Sequence, residues 1–177
     1  ACCNPTGNRF EADLMLGLRV VSGNRSALES IANDTGGSIW APAQRAQAHL
    51  ALRNLPAALQ AYAEDPPDPR GSINDLVNDE WVWCLPHAVN HAHLRILTGD
   101  ESGRGALQAL IVRAEELRAD GIVNADAVYW VASAHVVMGE AGRALEILEE
   151  AVRRGWRHAW WARHDWNWAG LEDDPRY

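Results

Sequence analysis

Lysine is absent from the 177 residues, so all 16 basic side chains are arginine. That excludes lysine Schiff-base chemistry and a phosphate-binding loop of the Gly-x-x-x-x-Gly-Lys type. Cysteine is scarce, with only Cys2, Cys3 and Cys84. An odd number with a vicinal pair at one end is no disulfide framework, although it leaves room for one bridge from Cys2 or Cys3 to Cys84. No apolar run approaches the roughly 18 residues that a membrane-spanning helix needs, so no membrane span is expected. Positive charge is in the minority. Against 24 acidic residues the formal net charge is −8, which opposes binding to a phosphate backbone and argues against nucleic acid as a partner. An initiating methionine is also missing. The chain starts at Ala1, and the expectation is either a removed leader or a segment of something longer, which leaves the compartment open between cytoplasmic and exported. Neither a Gly-x-Ser-x-Gly elbow nor a catalytic cysteine and histidine in a recognisable context occurs, so the expectation is a non-enzymatic chain without a cofactor.

What is present is helical periodicity broken at regular intervals by turn residues. The first unit, about 11–34, carries Leu14, Leu18 and Val21 before Gly23-Asn24 and Ala27, Leu28 and Ile31 after it. A second, 41–64, opens on Pro42, which suits a first helical turn, and places Ala46, His49 and Leu50 before Arg53-Asn54. Its return helix holds Ala58, Leu59 and Tyr62. Three prolines in 65–71 mark a linker, because proline removes a donor and restricts its neighbour. The third unit, 76–118, runs through a turn at Gly99 to Gly103 and a return stripe of Ala106, Leu110, Ala114 and Leu117. In the fourth, 124–154, the small residues Ala132, Ala144 and Ala151 flank the turn residue Gly139, where two antiparallel helices can approach closely.

This small-residue pattern resembles the tetratricopeptide repeat, and Ala58-Leu59 and Ala144-Leu145 stand at the same distance beyond their turn residues, Arg53 and Gly139. The segment 155–177 resembles the ending of many bacterial tetratricopeptide proteins. Gly155-Trp156, Trp161, Asp165, Leu171 and Asp174-Pro175-Arg176-Tyr177 hold its places, with Trp166 where that ending has proline and Tyr177 where it has phenylalanine. The resemblance implies a single all-α domain, an α/α superhelical solenoid of four hairpins closed by a tryptophan-rich C-terminal cap. Such a solenoid presents a concave face to a protein partner. His49 and His135 would then fill interior positions that usually hold an aromatic ring.

Candidate sites follow from this frame. Gln47, Arg95 and Tyr129 lie on first helices off the apolar stripe and are the expected partner-facing residues. Trp160, Trp166 and Trp168 belong to a cluster of five tryptophans between Trp156 and Trp168, a residue type that dominates both cores and interfaces. Trp81 and Trp83 could seed a second patch. Cys84, His87 and His91 have a helical spacing compatible with zinc or copper, a weaker reading than packed or surface histidines. Asn24-Arg-Ser26 and Asn33-Asp-Thr35 are glycosylation sequons. The expected function is a protein–protein interaction scaffold. The alternative is a structural subunit that self-associates head to tail into an extracellular filament.

Overall fold

A computed structural model describes residues 8–34, 42–67, 84–120 and 124–177, with the side chains described from Met15 onward. All regular structure among the described residues is helical. In chain order the elements are α1 (Asn8–Val21), α2 (Arg25–Ala32), α3 (Pro42–Ala51), α4 (Leu55–Glu64), α5 (Leu85–Leu97), α6 (Ser102–Ala119), α7 (Ala125–Val137), α8 (Ala141–Arg153) and the short α9 (Ala159–Ala162), followed by a 3₁₀ turn, Trp166–Trp168. They pack as consecutive pairs, α1–α2, α3–α4, α5–α6 and α7–α8, and each pair touches the next.

One local device closes all four hairpins. The second residue after each first helix takes a left-handed backbone, at Gly23, Arg53, Gly99 and Gly139. The amide following it then bonds back five residues, as from Glu140 to His135 (2.9 Å) and from Asn54 to His49 (2.8 Å), which satisfies carbonyls a helix end leaves open. Gly139 has φ 84 and adopts this conformation freely. Arg53, with φ 60, does not, since a Cβ in that region costs about 1–2 kcal/mol. The first two return helices and α7 are then started by asparagine: Asn24 accepts from the Ala27 amide (3.1 Å), Asn54 from Ala57 (3.4 Å) and Asn124 from Ala127 (2.7 Å).

Small residues set the spacing between helices. Ala46, Ala58, Ala132, Ala144 and Ala151 are fully buried. Gly103 makes the closest approach, since a Cβ there would lie 2.5 Å from the Ala92 carbonyl oxygen of α5. It belongs to α6 rather than to the preceding turn where the sequence reading ended it. Three further stripe positions shift. Leu16 is buried and Leu18 is 54% exposed, Leu107 is buried in place of Ala106, and Val152 is 46% exposed although Leu148 is buried. Each is a displacement of one or two residues, about the width of a helical stripe's edge. α5 starts at Leu85, with Pro86 in the first turn where its missing N–H leaves no bond unmade. Part of the linker and residues 76–83 of the third unit fall outside the described residues, among them Trp81 and Trp83, as do Cys2 and Cys3.

The apolar interior is uneven. Leu16, Leu28 and Ile31 form a small cluster with Ala48, and Ala46, Leu50, Ala58 and Tyr62 form a second that reaches Leu94 of α5. The third and much the largest joins α5, α6, α7, α8 and the C-terminal segment. At its centre α7 is buried from Ala127 to His135 on every side.

Candidate functional site

The C-terminal segment places the site. Gly155, with φ 112, turns the chain out of α8, and the Trp156 ring stacks on Tyr129 with centroids 4.4 Å apart and planes 6° from parallel. The chain then crosses the first helices of the hairpins instead of ending on the last one. Through α9 it reaches α1, where a Cβ on Gly17 would lie 3.5 Å from the Trp161 ring. Asp165 starts the 3₁₀ turn by accepting from the Asn167 amide (3.0 Å), which drives Trp168 into the core. Trp168 is fully buried, donates from Nε1 to Ser133 Oγ of α7 (2.8 Å), and stacks on Tyr177 at 5.1 Å. The Tyr177 hydroxyl donates to the Ala162 carbonyl.

A buried polar network holds the segment in place. Asn167 Nδ2 donates to Asn90 Oδ1 of α5 and to Asp165 Oδ1, both at 2.7 Å. Asn90 Oδ1 also accepts from Trp166 Nε1 (2.9 Å), and Asp165 Oδ2 accepts from the Tyr129 hydroxyl (2.8 Å). His93 Nδ1 meets Asn167 Oδ1 at 2.8 Å, so that nitrogen carries the proton, and its ring stacks on Trp166 at 4.2 Å. Burial raises the Asp165 pKa against the opposing effect of these donors, and it lowers that of His93 despite the Asn167 hydrogen bond. Both side chains are thereby biased toward their neutral forms. A satisfied buried network of this kind fixes one geometry for the segment it holds.

This arrangement corrects several expected roles. Tyr129 is 1% exposed and Trp168 fully buried, so neither can present a surface to a partner, because the C-terminal segment fills the space they were expected to face. Arg95 is engaged with Asp100 Oδ2 (2.8 Å) and with Ser102, which pins the α5–α6 turn. Trp166 is half-buried against His93, and Trp160 is the exposed member of the cluster at 45%. Gln47 alone of the three first-helix candidates lines an open cavity. Cys84 is disulfide-bonded, which removes it as a thiolate ligand. His87 lies 3.4 Å through Nδ1 from the Tyr62 hydroxyl, and the His91 ring packs at 5.2 Å from the Tyr62 ring, so both histidines dress a core tyrosine. His135 is buried with Nδ1 2.5 Å from Glu140, and desolvation lowers the pKa of His49. Asn24 spends its side chain on capping α2, and Asn33 donates to the Glu29 carbonyl (2.8 Å), while the second sequon ends at Thr35, beyond the described residues.

Sequence reasoning missed Asn90 and Asn167 altogether. Their only signal was position: Asn90 interrupts the apolar stripe between His87 and His91, and Asn167 separates two tryptophans.

Among the described residues two concave surfaces stand out. A cavity of about 440 Å³ separates the C-terminal segment from the first two hairpins, with Trp130, Trp161 and Trp166 in its wall and Arg53 and Arg163 at its edge. At the far end of the chain of hairpins a groove of about 700 Å³ runs between the outer side of α8 and the C-terminal segment, lined by Leu148, Val152, Trp156, Ala159 and Tyr177. Family models, curated proteins and solved structures offer no match to this chain.

Proposed function

We propose that the chain is a non-enzymatic protein–protein interaction scaffold of the tetratricopeptide type, a short superhelix of four hairpins, which engages partners at its ends and not along its concave face. The repeated turn geometry and the alanine-spaced pairs support the repeat reading. The observation that carries the choice of surface is the course of the C-terminal segment. It already occupies the side formed by α5 and α7 and is locked there by Asp165 and Asn167, whereas large apolar side chains are left in solvent on the first and last hairpins. Met15 and Leu18 stand exposed on α1 at 42% and 54% and Val152 on α8 at 46% beside the long groove, while Leu97 and Val112 of the third hairpin and Trp160 of α9 are exposed as well. A solenoid whose terminal units are not covered by polar caps exposes surface that another chain can bury.

A second reading is favoured by two specific observations. Apolar exposure at both ends makes one end a candidate partner for the other, a heterologous contact that repeats without closing. The disulfide at Cys84 fits an oxidising compartment. Together they favour a structural subunit of an extracellular filament. Light scattering over a concentration series, with negative-stain microscopy, separates the two. Growth into fibres that is abolished by Leu18→Glu identifies self-assembly. A species that stays monomeric and still captures a partner through the α1 or α8 end identifies the scaffold, and capture that survives both Leu18→Glu and Val152→Glu contradicts end-on engagement altogether.

A further inference from the structure

The turn of the second hairpin breaks the rule that the other three obey. Gly23, Gly99 and Gly139 occupy the left-handed position, and at the equivalent place the chain puts Arg53, at φ 60. A left-handed non-glycine residue is strained, and such strain persists where the side chain is needed. Here the side chain is exposed, lines the 440 Å³ cavity, and makes neither an ion pair nor a side-chain hydrogen bond among the described residues. Arg163, which the C-terminal segment brings to the same cavity, is likewise without an ion-pair partner. Two unpaired guanidinium groups at one cavity stand out in a chain whose net charge is −8.

The remaining lining defines what these cations would hold. Trp130, Trp161 and Trp166 supply flat apolar wall. Two carboxylates also reach the cavity. Asp165 is committed to Tyr129 and Asn167, which leaves Glu172 as the one unpaired acid against the two arginines. An extended peptide is a poor occupant, because the C-terminal segment already lies across the first helices. The cavity volume falls within the range of small-molecule sites.

We propose that this cavity is a binding site for a small anion with a flat apolar body, an aromatic carboxylate in its simplest form. Arg53 and Arg163 take the carboxylate by charge-assisted hydrogen bonds, and the indole rings stack on the apolar body. The site does not rest on end-on association, although Arg163 and Glu172 line both this cavity and the groove beside α8.

Titration calorimetry with 2-naphthoate, its neutral carboxamide and inorganic phosphate tests the assignment. Saturable one-to-one binding of the carboxylate is expected, at least about tenfold tighter than the carboxamide. Arg53→Gly and Arg163→Gln should each abolish that preference, while Arg104→Gln, on α6 and paired with Glu101, should leave it intact. Arg53→Gly should also keep or raise the urea midpoint, since glycine relieves the turn. A purely structural Arg53 would predict a lower midpoint. Equal affinity for acid and amide, undiminished preference in both cavity variants, phosphate binding tighter than 2-naphthoate, or no saturable binding of 2-naphthoate by the unsubstituted protein would each overturn the proposal.

Discussion

The first two hairpins and the C-terminal third are built on the same turn geometry and yet are held together by different means. Around α1 to α4 the interior is alanine with a few aliphatic residues and one buried large ring, Tyr62, and most of its packing joins neighbouring helices, with Leu94 and Trp166 reaching in from further along the chain. Around α7 and α8 aliphatic residues are joined by Tyr129, Trp130, Trp156 and Trp168, and polar contacts join residues far apart in the chain, such as Asn90 with Asn167 and Tyr129 with Asp165. The difference shows that local rules suffice to make a hairpin, but a separate set of long-range, partly polar contacts decides which face of the stacked hairpins is left for partners.

Removing the largest ring should disturb this contrast most. Trp168→Ala deletes a fully buried side chain together with its stack on Tyr177 and its bond to Ser133, and should cost about 3–5 kcal/mol in urea unfolding, with near-ultraviolet dichroism from the tryptophan cluster lost. A cost below about 1 kcal/mol would mean that the segment is not part of the core. A smaller effect is expected at the junction of the two regions. Gly103→Ala drives a methyl toward the Ala92 carbonyl and should cost about 1–3 kcal/mol, because the obstacle is backbone and cannot rotate away. The same substitution at Gly105, where a Cβ meets nothing within 4 Å, should be neutral or stabilising.

The smallest effect separates the regions by pH. The folded pKa of Asp165 is raised above its ordinary 3.8, chiefly by burial, so the folded state keeps a proton that the unfolded chain has already lost. Its contribution to stability therefore falls as pH climbs from about 4 through the folded pKa and then levels off. Glu150 runs the other way. Burial works to raise its pKa, but the hydrogen bond and charge of Arg118, with the charge of Arg154, outweigh this and the net is a lowering, so its contribution is present above about 4.5 and lost in acid. Asp165→Asn keeps the carbonyl acceptor and removes the charge. The expected result is that the urea midpoint of Asp165→Asn, relative to the unsubstituted protein, rises as pH climbs above about 4, and parallel pH profiles would remove Asp165 from the account.

Helices and turns were legible in the sequence because each depends on residues within four or five positions. Gly139 and Pro42 announce their roles locally. The alanine spacing was legible for the same reason. What could not be read was which side of the hairpins the tryptophans would choose. The pattern of Trp166, Asn167 and Trp168 is equally compatible with a lid on α8 and with a strap across α5 and α7, and the choice rests on partners 35 to 77 residues away. Tyr129 was misplaced by that same ignorance, since its outward position on α7 is a surface only if nothing covers it. Arg53 was visible as a turn residue, but its cost and its lack of a partner needed the backbone and the cavity.

The locking of the C-terminal segment across the first helices is tested most directly by a double-mutant cycle between Asn90 and Asn167, in α5 and the 3₁₀ turn, measured by urea unfolding of Asn90→Ala, Asn167→Ala and the double variant. A bond of 2.7 Å between buried amides predicts a coupling energy of about 1–2 kcal/mol, beyond what separate sites would give. Additivity of the two single effects to within about 0.3 kcal/mol would contradict the account, because the two residues would then not meet and the concave face would be open.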